Sequence, residues 1–207
     1  MIRFFDIIFS LIGLLILLPI FIIISIWIKL DSPGPILYKQ VRVGLDGVDF
    51  LLFKFRSMVI NSDKRRLLTV GNLDNRVTFS GYYLRKWKLD ELPQLVNVLT
   101  GKMSIVGPRP EVRKYVDFYS DEQRIVLNVR PGITDYSSIK FRNESELLAQ
   151  SSNPEETYTN IIMPEKIKLS MVYIKHRNIY QYFKIIILTL ISGIKFIDKS
   201  SKSNKAQ

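Results

Sequence analysis

The chain contains no cysteine, which removes disulfide bridges and thiolate nucleophiles from consideration. The absence of thiols also accords with a reducing compartment. Histidine occurs once, at His176, so a multi-histidine metal centre is excluded and a histidine-based triad has one residue to draw on. Any metal must then be a hard ion held by oxygen ligands and phosphate. Acidic residues are scarce beside basic ones, 19 Asp and Glu against 30 Lys and Arg, a formal net charge of +11. That balance points to anionic partners: nucleic acid, acidic lipid headgroups or phosphorylated small molecules. No internal repeat divides the 207 residues, and the length suits one domain with a small appendage.

Charge is missing altogether from Ile7 to Ile28, a run bounded by Arg3 and Asp6 before it and by Lys29 and Asp31 after it. About twenty apolar residues cross a hydrocarbon core. The run is too long for a signal peptide, and no small-x-small cleavage site follows it. Pro19 lies near its middle, where it removes one backbone hydrogen bond and kinks a helix. A straight spanning helix and a kinked helix that returns to its own side both fit. In either case the basic remainder is expected on the cytoplasmic side. A second apolar run, Ile185 to Ile194, is too short to span. Tyr180, Tyr182, Phe183, Lys184 and Lys195 flank it, which suits a helix lying in the headgroup layer; a buried core helix is the alternative. The Lys/Ser-rich end, residues 199–207, is expected to be disordered.

Between the apolar runs, Ser32-Pro33-Gly34-Pro35 breaks the first helix. Ile36 to Val43 and Val48 to Met58 are predicted strands of a hairpin, joined by Gly44-Leu45-Asp46-Gly47. Alternation places Leu51, Phe53 and Phe55 on one face and Lys54 and Arg56 on the other. The two cations are either aimed at phosphate or on the solvated face of an edge strand. A helix plus loop is expected over Asn61 to Asn75. Ser120 and Gln123 form a capping box that opens a helix reaching about Asn128. Arg130-Pro131-Gly132 is a turn feeding a strand from Ile133 to Phe141, and residues 149–160 read as a polar loop.

Residues 84–110 concentrate the chemistry. Arg85, Lys86 and Lys88 precede the adjacent carboxylates Asp90 and Glu91. Leu92, Leu95, Val96 and Leu99 follow at helical spacing, Gly101 supplies a stop, and Gly107-Pro108-Arg109-Pro110 presents Arg109 on a rigid turn. Asp90 is either a simple cap at a helix start, with Pro93 in the first turn, or one of two working carboxylates among cations suited to phosphate.

These pieces occur in a particular order: the apolar helix with its central Pro19, Lys54-Phe55-Arg56-Ser57-Met58, Arg76-Val77-Thr78, Leu84-Arg85 with Leu89-Asp90-Glu91-Leu92-Pro93-Gln94, Gly107-Pro108-Arg109-Pro110, and Arg130-Pro131-Gly132-Ile133-Thr134. In that order, from about residue 3 to residue 195, the chain resembles the bacterial sugar transferases, the monotopic phosphoglycosyl transferases. The resemblance implies an α+β fold: a re-entrant, helix-break-helix membrane element over residues 1–31, a small mixed catalytic domain with interfacial amphipathic helices over 32–198, and the tail. It implies transfer of a sugar-1-phosphate from a UDP-sugar to a polyprenol phosphate (undecaprenyl phosphate being the expected acceptor), with release of UMP, at the cytoplasmic face of a bacterial inner membrane. On the matched positions, Asp90 would be the nucleophile, forming an aspartyl-phosphosugar, and Glu91 its partner at Mg²⁺. Lys54, Arg85, Arg109 and Arg142 would hold phosphates, and Pro19 would mark the helix break. Membrane lipid is a further expected partner, nucleic acid is not, and a homodimer is left open.

Three stretches depart from the common pattern. Leu18 stands where many members carry a serine able to cap backbone groups freed by the following proline. Asp135-Tyr136-Ser137-Ser138 replaces Gly-Trp-Ala-Gln, which suggests a different sugar or subgroup, and Glu144 to Pro164 is longer than in compact members. Two other functions fit the composition. A tethered nucleic-acid binder is permitted by the charge, but the cations are spread through turns and not gathered on one helix. A non-catalytic membrane scaffold of glycan assembly would not require Asp90 and Glu91.

Overall fold

The computed structural model describes residues 1–62, 68–71 and 74–204, with side chains described to residue 194. Much of the helix-plus-loop expected over Asn61 to Asn75 lies outside the described residues, as do residues 205–207. Helix α1 runs Ile2–Asp31, a length of about 45 Å at the rise of an α-helix. It is long and apolar enough to cross a membrane. The expected helix-break-helix is here one helix, with Pro19 inside it. A proline costs one donor, and apolar neighbours offer the backbone no substitute partner, so helical bonding resumes around it.

One side of α1 is bound to the rest of the chain at both ends. Near its start, the Arg3 guanidinium donates to the carbonyls of Val98 and Leu99, and the buried Asp6 carboxylate accepts from Ser104 Oγ (3.0 Å), Ile105 N (2.9 Å) and Tyr182 Oη (2.9 Å). Near its end, Asp31 accepts from Ser80 N (3.0 Å) and Ser80 Oγ (2.8 Å). Ile24 and Ile28 pack with Phe55 and Leu84 between these ties. The other side, including Leu15, Ile16, Ile22 and Ile23, is exposed hydrocarbon.

Strands β1 (Leu37–Val43) and β2 (Asp49–Phe55) form the expected antiparallel hairpin, with Tyr38 opposite Lys54. Asp46 (φ 55°) and Gly47 (φ 73°) carry the turn in the left-handed region. The face assignment needs correction. Phe50 and Leu52 are buried with Val98 and Met103, whereas Leu51 is exposed; on the other face Phe55 is buried, against α1. Both faces of this strand are apolar, so alternation alone could not choose between them.

Helix α2 (Phe79–Lys86) starts where Thr78 accepts from Gly81 N. Helix α3 (Gln94–Leu99) ends at Gly101 (φ 84°), as expected. Its predicted stripe of Leu92, Leu95, Val96 and Leu99 is only half-buried, and Leu95 meets α1 at Gly13. The buried side includes Asn97, whose amide accepts from Phe53 N (3.0 Å) and donates to Leu51 O (2.7 Å), satisfying the free edge of β2.

Strands β3 (Ser104–Val106) and β4 (Gly132–Thr134) pair in parallel. Gly107 and Gly132 sit back to back: a Cβ on Gly132 would lie 2.0 Å from Gly107 N, so the Gly-Pro-Arg-Pro and Arg-Pro-Gly turns dock only because both are glycine there. Helix α4 (Arg113–Val116) follows β3. The capping box forms reciprocally between Ser120 and Gln123, but opens a 3₁₀ turn over Gln123–Asn128.

The strand expected from Ile133 to Phe141 stops at Thr134. Asp135 accepts from Ser138 N (2.7 Å) and starts helix α5 (Tyr136–Lys140). The expected loop over 149–160 is helical instead: α6 (Glu144–Ala149), α7 (Pro154–Thr157) capped by Asn153, a π-turn (Tyr158–Ile162) and α8 (Met163–Lys175). These wrap a core of Tyr115, Val126, Leu148, Tyr158, Ile162 and Ile167. Helix α9 (Ile179–Asn204) buries Tyr182 and Ile185 and exposes Tyr180, Ile187, Leu190, Ile191 and Ile194, which combines the two expected alternatives. It carries the backbone of the expected tail in helical form as far as Asn204.

Candidate active site

After α2, Lys88 adopts a left-handed backbone (φ 58°) that reverses the chain into a 3₁₀ turn, Leu89–Glu91. Leu89 and Leu92 pack on the Phe55 and Ile28 cluster, against α1. That fixes the turn and leaves its acidic residues on the side of a cavity of about 970 Å³, within the range typical of ligand sites. Lys54, Arg85, Asp90, Glu91, Arg109 and Arg142 all line this one space. The residues that motif order singled out are thus brought together.

Asp90 is 5% exposed, and its Oδ1 accepts no hydrogen bond. Helix α3 begins after Pro93 without a side-chain cap, so Asp90 does not serve as one. Glu91 is paired: Lys54 Nζ lies 3.3 Å from Oε1, Arg109 Nη1 donates to Oε2 at 3.1 Å, and Arg109 Nη2 donates to Oε1. The two carboxyls are driven apart. Burial and the neighbouring Glu91 charge raise Asp90 above the ordinary carboxylate range, against the pull of Lys54, Arg85 and Lys88. Burial opposes ionisation of Glu91 as well, but Arg109 and Lys54 hold it well below its usual value. Burial also lowers Lys54 and Lys88, and the Glu91 charge raises Arg109.

Arg56 also lines the cavity, but its guanidinium is engaged with main-chain carbonyls and not with the carboxylate pair. Its guanidinium donates to the carbonyls of Ile28 (3.2 Å), Ser32 (2.7 Å) and Pro33 at the end of α1. Of the two cations set on one strand face, Lys54 reaches the carboxylates and Arg56 clasps the membrane helix. Lys88, one of the three cations read before the carboxylate pair, is brought in as well, whereas Glu111 and Tyr158 were missed. Lys88 adjoins the carboxylates in sequence, and its charge acts on both. Glu111, directly after the Gly-Pro-Arg-Pro turn, is 3.0 Å from Arg42 and accepts from Tyr158, with Lys166 nearby. Adjacency to the Gly-Pro-Arg-Pro turn could have flagged Glu111; Tyr158 falls in the segment expected to be a loop.

Among the described residues no cluster of three or more metal-ligating side chains occurs. Two carboxylates completed by substrate phosphates are, however, a donor set that Mg²⁺ accepts. The buried, unpartnered Oδ1 of Asp90 fits that use, and Glu91 stands beside it.

Comparison with known proteins follows the same lines. The chain is 34% identical over 200 residues to the UDP-glucose:undecaprenyl-phosphate glucose-1-phosphate transferase of Escherichia coli K12, covering 95% of this chain and 40% of that protein. A protein of the same name from Klebsiella pneumoniae is 38% identical, with the same coverage. The UDP-N-acetylgalactosamine-undecaprenyl-phosphate N-acetylgalactosaminephosphotransferase of Aeromonas hydrophila is 41% identical over 137 residues, 65% of this chain and 32% of that protein. The chain therefore spans well under half the length of these relatives. A family profile described as bacterial sugar transferase matches residues 1–195, and the chain belongs to that family.

Proposed function

We propose that this chain transfers a sugar-1-phosphate from a UDP-sugar to a polyprenol phosphate, undecaprenyl phosphate in a bacterial membrane, as the first membrane step of glycoconjugate assembly. The observation that carries this reading is the buried, unpartnered Oδ1 of Asp90, opening into a cavity lined by Lys54, Arg85, Arg109 and Arg142. The relatives that match most of the chain bear names of that activity with two different sugars.

An Asp90 oxygen attacks the phosphorus that carries the sugar. The P–O bond to UMP breaks, UMP leaves with the bonding pair, and the sugar phosphate remains on Asp90 as an acyl phosphate. A phosphate oxygen of the polyprenol phosphate then attacks the same phosphorus, forms the diphosphate and frees the carboxylate. An ionised carboxylate needs no general base. Anion must meet anion in both steps, so the surrounding cations offset the repulsion and the charge that passes to UMP. Mg²⁺, held by Asp90 and Glu91 with substrate phosphates, would supply further positive charge there and favour ionised Asp90.

The membrane element is placed in the same reading. Arg3 and Asp6 at one end of α1 and Ile28 and Asp31 at the other bind a single catalytic body. A helix with both ends on one body is supported as re-entrant, entering and leaving on the cytoplasmic face of the inner membrane, and not as a span. Purified protein given UDP-sugar and Mg²⁺ without acceptor is expected to release about one UMP per active site. Asp90→Asn should abolish that burst; full turnover by this variant would refute the nucleophile. An N-terminal tag should react only with reagent on the cytoplasmic side, and labelling from the opposite side would establish a span.

A further inference from the structure

The cavity does not end at the cations. One uncharged part of its lining is made of Leu92, Leu95 of α3, Ile133, Thr134 and, on α9, Thr189 and Ser192. We infer that this arm, between α3 and α9, is the mouth through which the isoprenoid phosphate reaches Asp90, with Thr189 and Ser192 at its rim. The identity of the ligand rests on the reaction proposed above; the assignment of this arm rests on its own chemistry.

Both helices bounding the arm are continuous with the lipid-compatible surface. Leu95 lies against α1 at Gly13, inside the uncharged run, with 3.2 Å from its Cδ1 to the Cβ position of that glycine. Helix α9 turns Ile187, Leu190, Ile191 and Ile194 outward. Thr189, Ser192 and Gly193 fall at i, i+3 and i+4, so small side chains share one side of α9, and nothing lies within 4 Å of the Cβ position of Gly193.

The Thr134 and Thr189 hydroxyls are also the wrong chemistry for a diphosphate. Thr189 Oγ donates to Ile185 O (2.8 Å), so the 2.7 Å contact between the Thr134 and Thr189 hydroxyls takes its proton from Thr134. Both hydroxyl protons are used within the protein, and no charged side chain is among the residues of this arm. Hydrocarbon passing such a rim loses nothing, whereas a phosphate there would find no donor from this pair. The cations for its phosphate are Lys54 and Arg109, which line the same cavity and pair with Glu91 next to Asp90. For the donor, with its charged diphosphate, the same cavity offers Arg142, Asn143 and Lys166 among its other lining residues.

The test uses the full chain in nanodiscs with a polyprenyl phosphate carrying a diazirine in its first isoprene units. Adducts are expected on the α9 peptide holding Thr189 and Ser192, displaced by unlabelled polyprenyl phosphate and not by UDP. Ser192→Phe should lower adduct yield and the rate of transfer by about tenfold or more, while donor-only UMP release is retained; Ile187→Phe, on the outward face, should change neither. Adducts confined to other helices would overturn the inference. So would a Ser192→Phe protein that transfers normally, or one that loses UMP release and transfer by the same factor. If wild-type protein shows no burst while adducts still map to α9, the aspartyl route fails and the mouth stands.

Discussion

Arg56 distinguishes a phosphate ligand from a clasp, and its removal separates the two by measurement. The side chain is 5% exposed and gives hydrogen bonds to three carbonyls, those of Ile28, Ser32 and Pro33. These close the end of α1, where a cation also favours the helix dipole. Gly34 makes room for it: a Cβ there would lie 2.1 Å from Nη1, at a φ of 126° that only glycine adopts readily. Hydrogen bonds from a charged group contribute about 1.5–3 kcal/mol each, but they are not additive, and water can reach some freed carbonyls. Arg56→Ala should therefore cost about 3 kcal/mol, which for a chain of this size is a fall of about 6–12 °C in melting temperature. Lysine retains the charge without the fork that spans three acceptors, so Arg56→Lys should fall between. The assay is thermal unfolding in mild detergent alongside steady-state kinetics. The KM for UDP-sugar in the surviving folded fraction should stay within about twofold of wild type. A variant with wild-type melting and a raised KM would show that the guanidinium binds phosphate and that the clasp is misassigned.

Two further outcomes follow from the charges. Burial works against ionised Glu111, yet Arg42, Lys166 and the Tyr158 hydroxyl hold its carboxyl below the usual range. Its stabilisation is complete above the unfolded value of about 4.3 and is lost as pH falls through the lower folded value. Chemical unfolding followed from about pH 5 downward should show a decline that Glu111→Gln makes shallower; parallel curves would remove Glu111 from the acid response. Glu91→Gln deletes the negative neighbour of Asp90 and frees Lys54 and Arg109 to approach it. The acid limb of the pH–rate profile should move to lower pH while the maximal rate falls by about 10²-fold or more. An acid limb that moves to higher pH would contradict the charge assignment.

The parts that were legible before the structure share a local cause. The Asp-Gly turn, the Ser120 and Gln123 capping box, the stop at Gly101 and the order of the motif residues are each written in a few adjacent side chains. Where several local signals competed, pattern failed. Ile133 to Phe141 alternates well enough for a strand, but the carboxylate of Asp135 caps a helix directly after the real strand ends at Thr134. The segment after Gln150 is polar, yet Asn153-Pro154-Glu155-Glu156 is itself a helix opening: a cap, a proline in the first turn and acids at the positive end of the dipole. Arg56 was ambiguous for another reason. Its partners are main-chain carbonyls 23 to 28 residues away, and side-chain pattern carries no record of backbone acceptors.

The local geometry of the carboxylate pair explains how neighbours in sequence come to hold opposite environments. On a 3₁₀ turn successive side chains diverge by about 120°, more than on an α-helix. Glu91 is thereby turned to Lys54 on β2 and Arg109 on the Gly-Pro-Arg-Pro turn. Asp90 is turned into the cavity with an oxygen unclaimed. Were Asp90 the one paired to those cations, its lone pairs would be occupied and its attack on phosphorus obstructed. Glu91 thus keeps two cations close enough to offset phosphate charge and away from the oxygen that must react. The left-handed Lys88 and the packing of Leu89 and Leu92 on Phe55 and Ile28 set that turn. The same hydrophobic contact that seats α1 therefore aims the carboxylate, which in the proposed reaction ties the position of the reactive oxygen to the lipid surface from which the proposed acceptor would come.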